Sequence, residues 1–459
     1  MAGAGGRLAL AGLTALLAIG AAGMASTMAQ AASNVTPQLQ GTALTAAESR
    51  RQQLFAQMLS DPGNVAVTLE YAKLSSEVGD LEGAVSALER LAIFAPELGQ
   101  IKFELGVLYL RLAAYDLAAS DFKAAAAAPD ATPDLKARAA AFLAGIDRQT
   151  AGDKLTGAIV LGAQYQTNAN GGTDNRLIEL GGIPVTLSDS AMARPDTNGF
   201  ISGNLHYSHD LASQGDRIDA DLAAFGSLYA QLSEIDTAAV EARLGPVFNL
   251  QRFGIAHSTL GIYAIGGAME VQQSPYRYTL GAGAVVTADF DSQTQAHVRL
   301  EYRYEDFINS SARPTVSQMT GNRTRLSTDL GHAVTDWLSL SAVLYGERKD
   351  ATVGYDADWE AGATLGTTIR FKGPVADQAR PWSLDMSVGV IEREFDAPDT
   401  SMSTDRRHDD EANAQATLTV PIGDTWSGLG TVAYRTVLSN YDIYTLDDIS
   451  TSLAVMKKF

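Results

Sequence analysis

HVRLEYRYEDF (residues 297–307) sends Val298, Leu300, Tyr302 and Tyr304 to one side of an extended chain and His297, Arg299, Glu301, Arg303 and Glu305 to the other. Side chains alternate across a strand with period two, so the segment reads as an amphipathic strand. Two opposite proteins share that pattern. A soluble sandwich buries the apolar row, whereas a membrane barrel turns it outward to lipid and keeps the charged row inside.

The same period recurs downstream and upstream. WEAGATLGTTIRF (359–371) sets Trp359, Ala361, Ala363, Leu365, Thr367, Ile369 and Phe371 against Glu360, Gly362, Thr364, Gly366, Thr368 and Arg370. WSLDMSVGV (382–390) sets Trp382, Leu384, Met386, Val388 and Val390 against Ser383, Asp385, Ser387 and Gly389. Between Lys154 and Phe459 there are roughly fourteen such segments, separated by Gly, Asp, Asn and Pro in the manner of strand punctuation. The connections alternate in length. Long ones are expected at 167–196, 309–320, 348–356 and 395–408, and tight ones near Gln214-Gly215, Asp291-Ser292, Thr335-Asp336 and Gly423-Asp424. A short connection near Glu234 and a long one from Phe371 to Pro381 break the alternation. A sandwich has no reason to alternate its turns, whereas an outer-membrane barrel has short periplasmic turns and longer external loops. The chain ends on SLAVMKKF, where Leu453, Val455 and Phe459 share an apolar face and resemble the terminal strand read by the barrel assembly machinery; Lys457 departs from that pattern. The barrel solution follows, with Val298 and its neighbours against lipid and Arg299, Glu301, Arg303, Glu305, Glu360, Arg370 and Asp385 in the lumen.

Before Lys154 the period is helical, and it repeats. Pro62 and Pro96 lie 34 residues apart, Pro129 follows at nearly the same interval, and Ala84 aligns with Ala118, Leu88 with Phe122 and Ala72 with Gly106. This is tetratricopeptide spacing: small residues where paired helices touch, a large apolar residue filling the stack, and proline ending each unit. Such repeats either hold a peptide in a groove, with Tyr71, Tyr109 and Arg111 the candidate client-binding residues, or serve as a rigid spacer. Residues 1–31 read as a signal peptide, with Arg7 as the basic start, Leu8 to Ala22 as the apolar stretch and Ala29-Gln30-Ala31 as the cleavage site. The competing reading is a membrane anchor, which Gly12, Gly20 and the short apolar run disfavour. The expected organisation is a signal peptide at 1–31, a linker at 32–47, a tetratricopeptide-like helical domain at 48–150 and an outer-membrane β-barrel at 154–459. In class terms this is an α + β multidomain chain with a roughly 14-stranded antiparallel transmembrane barrel.

The formal net charge of −19 argues against nucleic acid, whose binding is led by Lys and Arg neutralising phosphates. Cysteine is absent, which excludes thiol catalysis, disulfides and cysteine zinc sites. His206 and His209 sit three apart, so a strand sends them to opposite faces and they do not share a metal. DRRHDDE (405–411) is read as a solvated external loop rather than a cation site, and the glycines of NANGGTDN (168–175) as turn chemistry. No nucleophile, base and orienting group fall into one constellation. A non-enzymatic protein without metal or cofactor is therefore expected. Its lumen charges are expected to pair across neighbouring strands.

The helical repeat, the junction GAIVLGAQYQTNANGG (157–172) and the strands ending at Phe459 together resemble the surface lipoprotein assembly modifier (Slam) family over nearly the whole mature chain. That resemblance implies a monomeric barrel in the bacterial outer membrane, a repeat domain in the periplasm, and a role in moving a periplasmic client, a lipoprotein or a haem- or metal-acquisition protein, to the cell surface. Polysaccharide export porins also join such repeats to a barrel and are the alternative, although they carry longer arrays and are expected to have a basic lumen. An outer-membrane enzyme and a structural or adhesive barrel are the other classes considered.

Overall fold

The computed structural model describes residues 42–180, 182–375 and 380–459, which form two units; the signal peptide and most of the linker expected at the N-terminus lie outside them. The first unit holds six helices: α1 (Thr42–Ser60), α2 (Val65–Glu77), α3 (Leu81–Phe94), α4 (Gly99–Arg111), α5 (Tyr115–Ala127) and α6 (Pro133–Thr150). The last residues of the stretch read as linker, from Thr42 onward, are thus helical.

Local chemistry sets the helix starts. The Asn64 side chain accepts from the Val67 N–H at 3.2 Å, Asp80 from Gly83 at 2.9 Å and Thr132 from Leu135 at 3.2 Å, each satisfying an orphan donor at a first turn. Pro133 opens α6 where its missing N–H is harmless. The repeat register is visible in the packing. Ala84 and Leu88 are buried with Ala72 in one cluster, Ala118 and Phe122 in the next, and the Phe122 ring lies over Gly106. Phe103, Phe122 and Phe142 close the stack with ring centroids 4.8 to 5.6 Å apart. The architecture is tetratricopeptide-like.

The second unit is a closed antiparallel barrel of fourteen strands. In chain order these are β1 (Asp153–Gln166), β4 (Asp196–Ser213), β5 (Asp216–Tyr229), β6 (Thr237–Asn249), β7 (Ser258–Val271), β8 (Ser274–Asp289), β9 (Thr294–Phe307), β10 (Gly321–Ala333), β11 (Leu338–Lys349), β12 (Asp358–Phe371), β13 (Trp382–Phe395), β14 (His408–Ile422), β15 (Trp426–Ser439) and β16 (Leu446–Lys458). A small hairpin of β2 (Leu177–Leu180) and β3 (Ile183–Thr186) sits in the first long connection. Each strand pairs with its sequence neighbour, and β1 pairs with β16 to close the ring. Closure leaves no edge with unpaired backbone groups, the condition for crossing hydrocarbon with strands. No described helix is long and apolar enough to cross a membrane.

The connections keep the expected alternation. Long ones run over 167–195, 308–320, 350–357 and 396–407 at one rim, and tight turns mark most of the other, while 230–236 and 372–381 are the exceptions already visible in the sequence and the eight residues 250–257, at the tight-turn rim, are one that is not. A further exception is the turn Gln272-Gln273, which joins β7 to β8 at the long-loop rim with both residues at positive φ, as a two-residue hairpin requires.

The orientation of β9 answers the opening question. Val298, Leu300, Tyr302 and Tyr304 all face outward and are exposed, whereas Glu301 and Glu305 on the opposite face are 6% and 3% exposed. Register carries the face around the wall, with Leu300 opposite Leu326 on one side and Ala284 on the other. An apolar outer band around a closed strand ring is the architecture of an outer-membrane barrel.

Candidate functional site

In the helical unit the three candidate residues are tied into the fold. Tyr71 is buried with Leu54, Met58 and Ala87, its ring 5.9 Å from that of Phe55. The Tyr109 hydroxyl donates to Glu89, and partial burial together with that carboxylate pushes its pKa up to about 12. Arg111 reaches back to Ser76, bonding its hydroxyl and, at 3.3 Å, its carbonyl oxygen, so it links α4 to α2. Tyr71 is a core residue, and the other two hold neighbouring helices in register.

In the barrel, charges form a ladder across the inner wall. Arg303 contacts Glu241 at 2.6 Å and Glu301 at 2.9 Å; Arg243 contacts the same two carboxylates at 3.0 and 3.6 Å, and the Tyr263 hydroxyl donates to Glu301 at 2.8 Å. Glu305 lies between Arg277 (3.0 Å) and Arg323 (3.3 Å), and Arg323 and Arg325 both reach Glu347 at 3.5 Å. Glu360 accepts from Arg393 at 2.5 Å and from the Tyr345 hydroxyl at 2.6 Å, and Arg435 holds Glu411 at 2.8 Å. Asp409 has no solvent exposure and is bound by Arg407 at 2.5 Å. The ladder thus runs from β6 round to β15 in the half of the barrel nearer the long loops. Pairing of this kind satisfies charges in a polar interior and removes any single-sign field.

Glu301 and Arg303 are therefore brought into direct contact, while Glu305 and Glu360 belong to neighbouring groups of the same ladder. Arg299 and Arg370 do not join it. Arg299 faces the lumen opposite Ser327 and Val285, deeper toward the tight-turn rim, and Arg370 donates to the Ser339 hydroxyl at 3.0 Å. Asp385 accepts from Thr368 at 2.6 Å. The partners that single-strand reading missed, Glu241, Arg243, Arg323, Glu347, Arg393, Asp409 and Glu411, share one signal: a charge at the lumen parity near the long-loop end of its strand.

Two expectations need correction. DRRHDDE is not all loop, since His408 onward is strand, with Asp409 and Glu411 in the lumen and His408 and Asp410 on the outer face. The interior is not uniformly polar either. Val160, Phe200 and Phe225 are buried on the lumen side of β1, β4 and β5, packed with Leu429, Ala454 and Met456, so one apolar patch lies across the closing seam, with the Gln166 and Asn198 side chains nearer the long-loop rim. NANGGTDN behaves as turn chemistry: the Asn168 amide brackets Gly172 at 2.7 and 2.9 Å, and Gly171 has φ of 61°. His206 and His209 point apart, to Asp221 at 2.7 Å and Asp153 at 2.8 Å.

On the closing strand, Leu453 and Val455 face outward opposite Ala163 and Leu161, and Phe459 exchanges two backbone hydrogen bonds with Gly157, of 2.9 and 3.1 Å. Lys457 places its ammonium 5.3 Å from the centre of the Trp426 ring at the tight-turn rim. A cation stacked on an interfacial tryptophan is tolerated where a bare charge against lipid is not.

No family model matches the chain, and no curated protein matches it. Among solved structures, a bacterial polysaccharide outer membrane secretin matches at 11% identity and TM-score 0.36, covering 66% of this chain and 98% of its own. The anion-selective porin from Comamonas acidovorans matches at 8% identity and TM-score 0.35, covering 67% and 99%. The Yersinia enterocolitica type III secretion chaperone SycD in complex with a peptide of the translocator YopD matches at 15% identity and TM-score 0.22, covering 27% and 92%. These similarities are too distant to transfer an activity.

Proposed function

We propose that this protein is a translocation factor of the bacterial outer membrane, similar in organisation to the surface lipoprotein assembly modifiers, which delivers a periplasmic client to the cell surface. The observation that carries the reading is connectivity. A tetratricopeptide-like unit ends at Thr150, and β1 of a closed barrel begins at Asp153. With an even number of strands, the start of β1 and the end of β16 lie at the same rim, the one with tight turns, which is the periplasmic rim in this reading. The helical unit is then periplasmic. There it raises the concentration of a client near the lumen, as tethering two binding modules does.

The client is a lipoprotein or a secreted haem- or metal-acquisition protein, and the barrel acts as a monomer inserted by the assembly machinery through the Leu453, Val455 and Phe459 face. The test is a chain lacking residues 42–151. Its barrel should remain in outer-membrane fractions while a cognate client, followed by protease shaving of intact cells, stays in the periplasm. Normal client display without the helical unit refutes the delivery role. If polymer export fails while all surface proteins are displayed normally, the polysaccharide-porin reading replaces this one.

A further inference from the structure

The connections at the long-loop rim are tied to one another. Thr173 donates to the Asp442 carbonyl at 2.9 Å, and Ile178 of the small hairpin is buried with Tyr441, Ile443 and Tyr444. The Tyr441 hydroxyl in turn donates to the Asp405 carbonyl at 2.7 Å, which brings in the connection 396–407. On nearly the opposite side of the strand ring, the segment 308–320 between β9 and β10 folds inward. Its Val316 is buried with Tyr276 and with Met269, Val271 and Phe307, which have the lumen parity of β7 and β9. The two sides meet at Glu234, whose carboxylate lies 3.4 Å from Arg194 of 167–195 and whose carbonyl accepts from Arg313 of 308–320.

The segment 308–320 is built as one piece. Its base is narrow, with the Phe307 N–H donating to the Thr320 hydroxyl and the Ile308 N–H to the Tyr276 carbonyl, both at 2.9 Å. Within it, Ser310 and Arg313 exchange two backbone hydrogen bonds of 3.1 Å, and the Asn309 side chain accepts from the Ser317 N–H at 2.8 Å. Closed ends and internal bonds make a compact loop that can move as a unit. Its inward position also traps polar groups that are incompletely matched. Tyr276 is 2% exposed, and among the described residues its hydroxyl has no hydrogen-bond partner. Arg313 is 8% exposed, yet it forms no ion pair among the described residues: the Glu234 carboxylate faces Arg194, and the guanidinium donates to the Glu234 carbonyl instead. A buried polar group left unmatched opposes the state that buries it.

We propose that 308–320 is a gate at the long-loop mouth of the barrel. Shut, it seats Val316 as a catch among Met269, Val271, Tyr276 and Phe307; open, it swings out on its narrow base and returns Tyr276 and Arg313 to water. Apolar burial of Val316 holds the gate shut, and the trapped hydroxyl and guanidinium push the other way, so neither position dominates overwhelmingly. Segments with such balanced attachments are the ones that open locally while the rest of a fold stays intact. The inference concerns the barrel and does not rest on the client role, and its test uses no client.

The chain has no cysteine, so Val316→Cys supplies a single thiol that times the opening. Full-length protein in phosphatidylcholine nanodiscs is treated with a water-soluble maleimide, and Ser311→Cys, at an exposed position of the same segment, is the reference. Val316→Cys should label to completion but about tenfold or more slower than Ser311→Cys, because only the open position exposes it. Adding Tyr276→Phe, which keeps the ring and deletes the unmatched hydroxyl, should slow that labelling about fivefold further. Val316→Asp, with its folded barrel verified by heat-modifiable mobility, should raise ion conductance in planar bilayers about twofold or more, as removal of an apolar constriction does. Equal labelling rates of the two thiols overturn the proposal, since the segment is then not shut. A Val316→Cys thiol that never labels in the folded protein also overturns it, leaving a fixed plug. So does an unchanged labelling rate with Tyr276→Phe, or an unchanged conductance in a folded Val316→Asp barrel.

Discussion

Replacing Arg303 by Met removes the hub of the lumen ladder while keeping its length and most of its apolar stem. Four hydrogen bonds are lost, to Glu241 at 2.6 and 3.2 Å and to Glu301 at 3.2 and 2.9 Å. Arg243 remains within 3.0 Å of Glu241 and 3.6 Å of Glu301, so one cation is left to serve two carboxylates. Glu301 is only 6% exposed, and water does little to relieve it. Breaking a buried pair by deleting one partner destabilises by about 3 to 5 kcal/mol, and the surviving Arg243 places Arg303→Met near the lower figure, about 3 kcal/mol. The double variant Arg303→Met, Glu241→Gln leaves one cation, Arg243, facing one carboxylate, Glu301, at 3.6 Å and should return to within about 1 kcal/mol of the parent, because a buried ion network is worth little over a neutral replacement. The assay is denaturant unfolding of protein folded into phospholipid vesicles, read by heat-modifiable electrophoretic mobility and tryptophan fluorescence. A loss of less than about 1 kcal/mol in the single variant, the behaviour of a surface ion pair, would refute the ladder as a buried network.

Leu300→Arg should lower folded yield much more than Arg299→Leu, because a charge facing mid-membrane lipid costs about 2 to 4 kcal/mol while the lumen tolerates change; vesicle refolding yields check the order. Gly106→Val places a Cβ 2.9 Å from the Phe122 ring and should destabilise the helical unit by about 1 to 3 kcal/mol, seen as earlier melting of helical circular dichroism with the barrel intact. Phe459→Asp keeps the backbone rung to Gly157 but puts a charge on the outer face, and less barrel in membrane fractions is expected. The hydrogen-bonded Arg348 guanidinium holds the Asp396 carboxyl below the usual carboxylate range. A depressed folded pKa contributes stability above the unfolded value, about 3.9, and loses it as pH falls through the folded one. Protease cleavage in the connection 396–407 should therefore be flat from pH 7 to pH 5 and rise only in stronger acid.

Strand existence and face were legible because membrane and lumen impose opposite chemistry on alternating positions. HVRLEYRYEDF needed only a decision about which side met lipid, and loop lengths supplied it. The repeat register was legible for the same reason: Ala84, Ala118 and Gly106 mark where helices must touch. Side-chain fate was less visible. Tyr71 reads as a groove residue from its aromatic character, yet α1 packs Leu54 and Met58 over it, and that helix lies in a stretch without a repeat signature. Asp409 sits in a run of charges that reads as solvated loop, because burial there depends on Arg407 and Arg393, which arrive from before the strand and from the strand beside it. Phe200 and Phe225 occupy lumen parity, where an apolar residue is unexpected, and only closure of β1 on β16 brings Val160 and Met456 against them.

That closure divides the inner wall chemically, and the division bears on the proposed delivery. From β6 to β15 the charges neutralise one another, so this wall offers no single-sign field to draw a polymer of one charge, as a polyanion conduit would require. Across the seam lies an apolar patch in which Phe200 and Phe225 are buried. A client crossing such a lumen meets one side that has already satisfied its ions and one whose apolar patch is already packed on itself. Neither supplies long-range capture, so in this proposal capture falls to the helical unit, and the barrel's part is passage. The two roles separate experimentally: removing residues 42–151 should abolish client accumulation at the membrane, whereas Phe200→Ser with Phe225→Ser, in a folded barrel, should leave capture intact and slow surface display. Equal loss of capture in both variants would refute the division of labour.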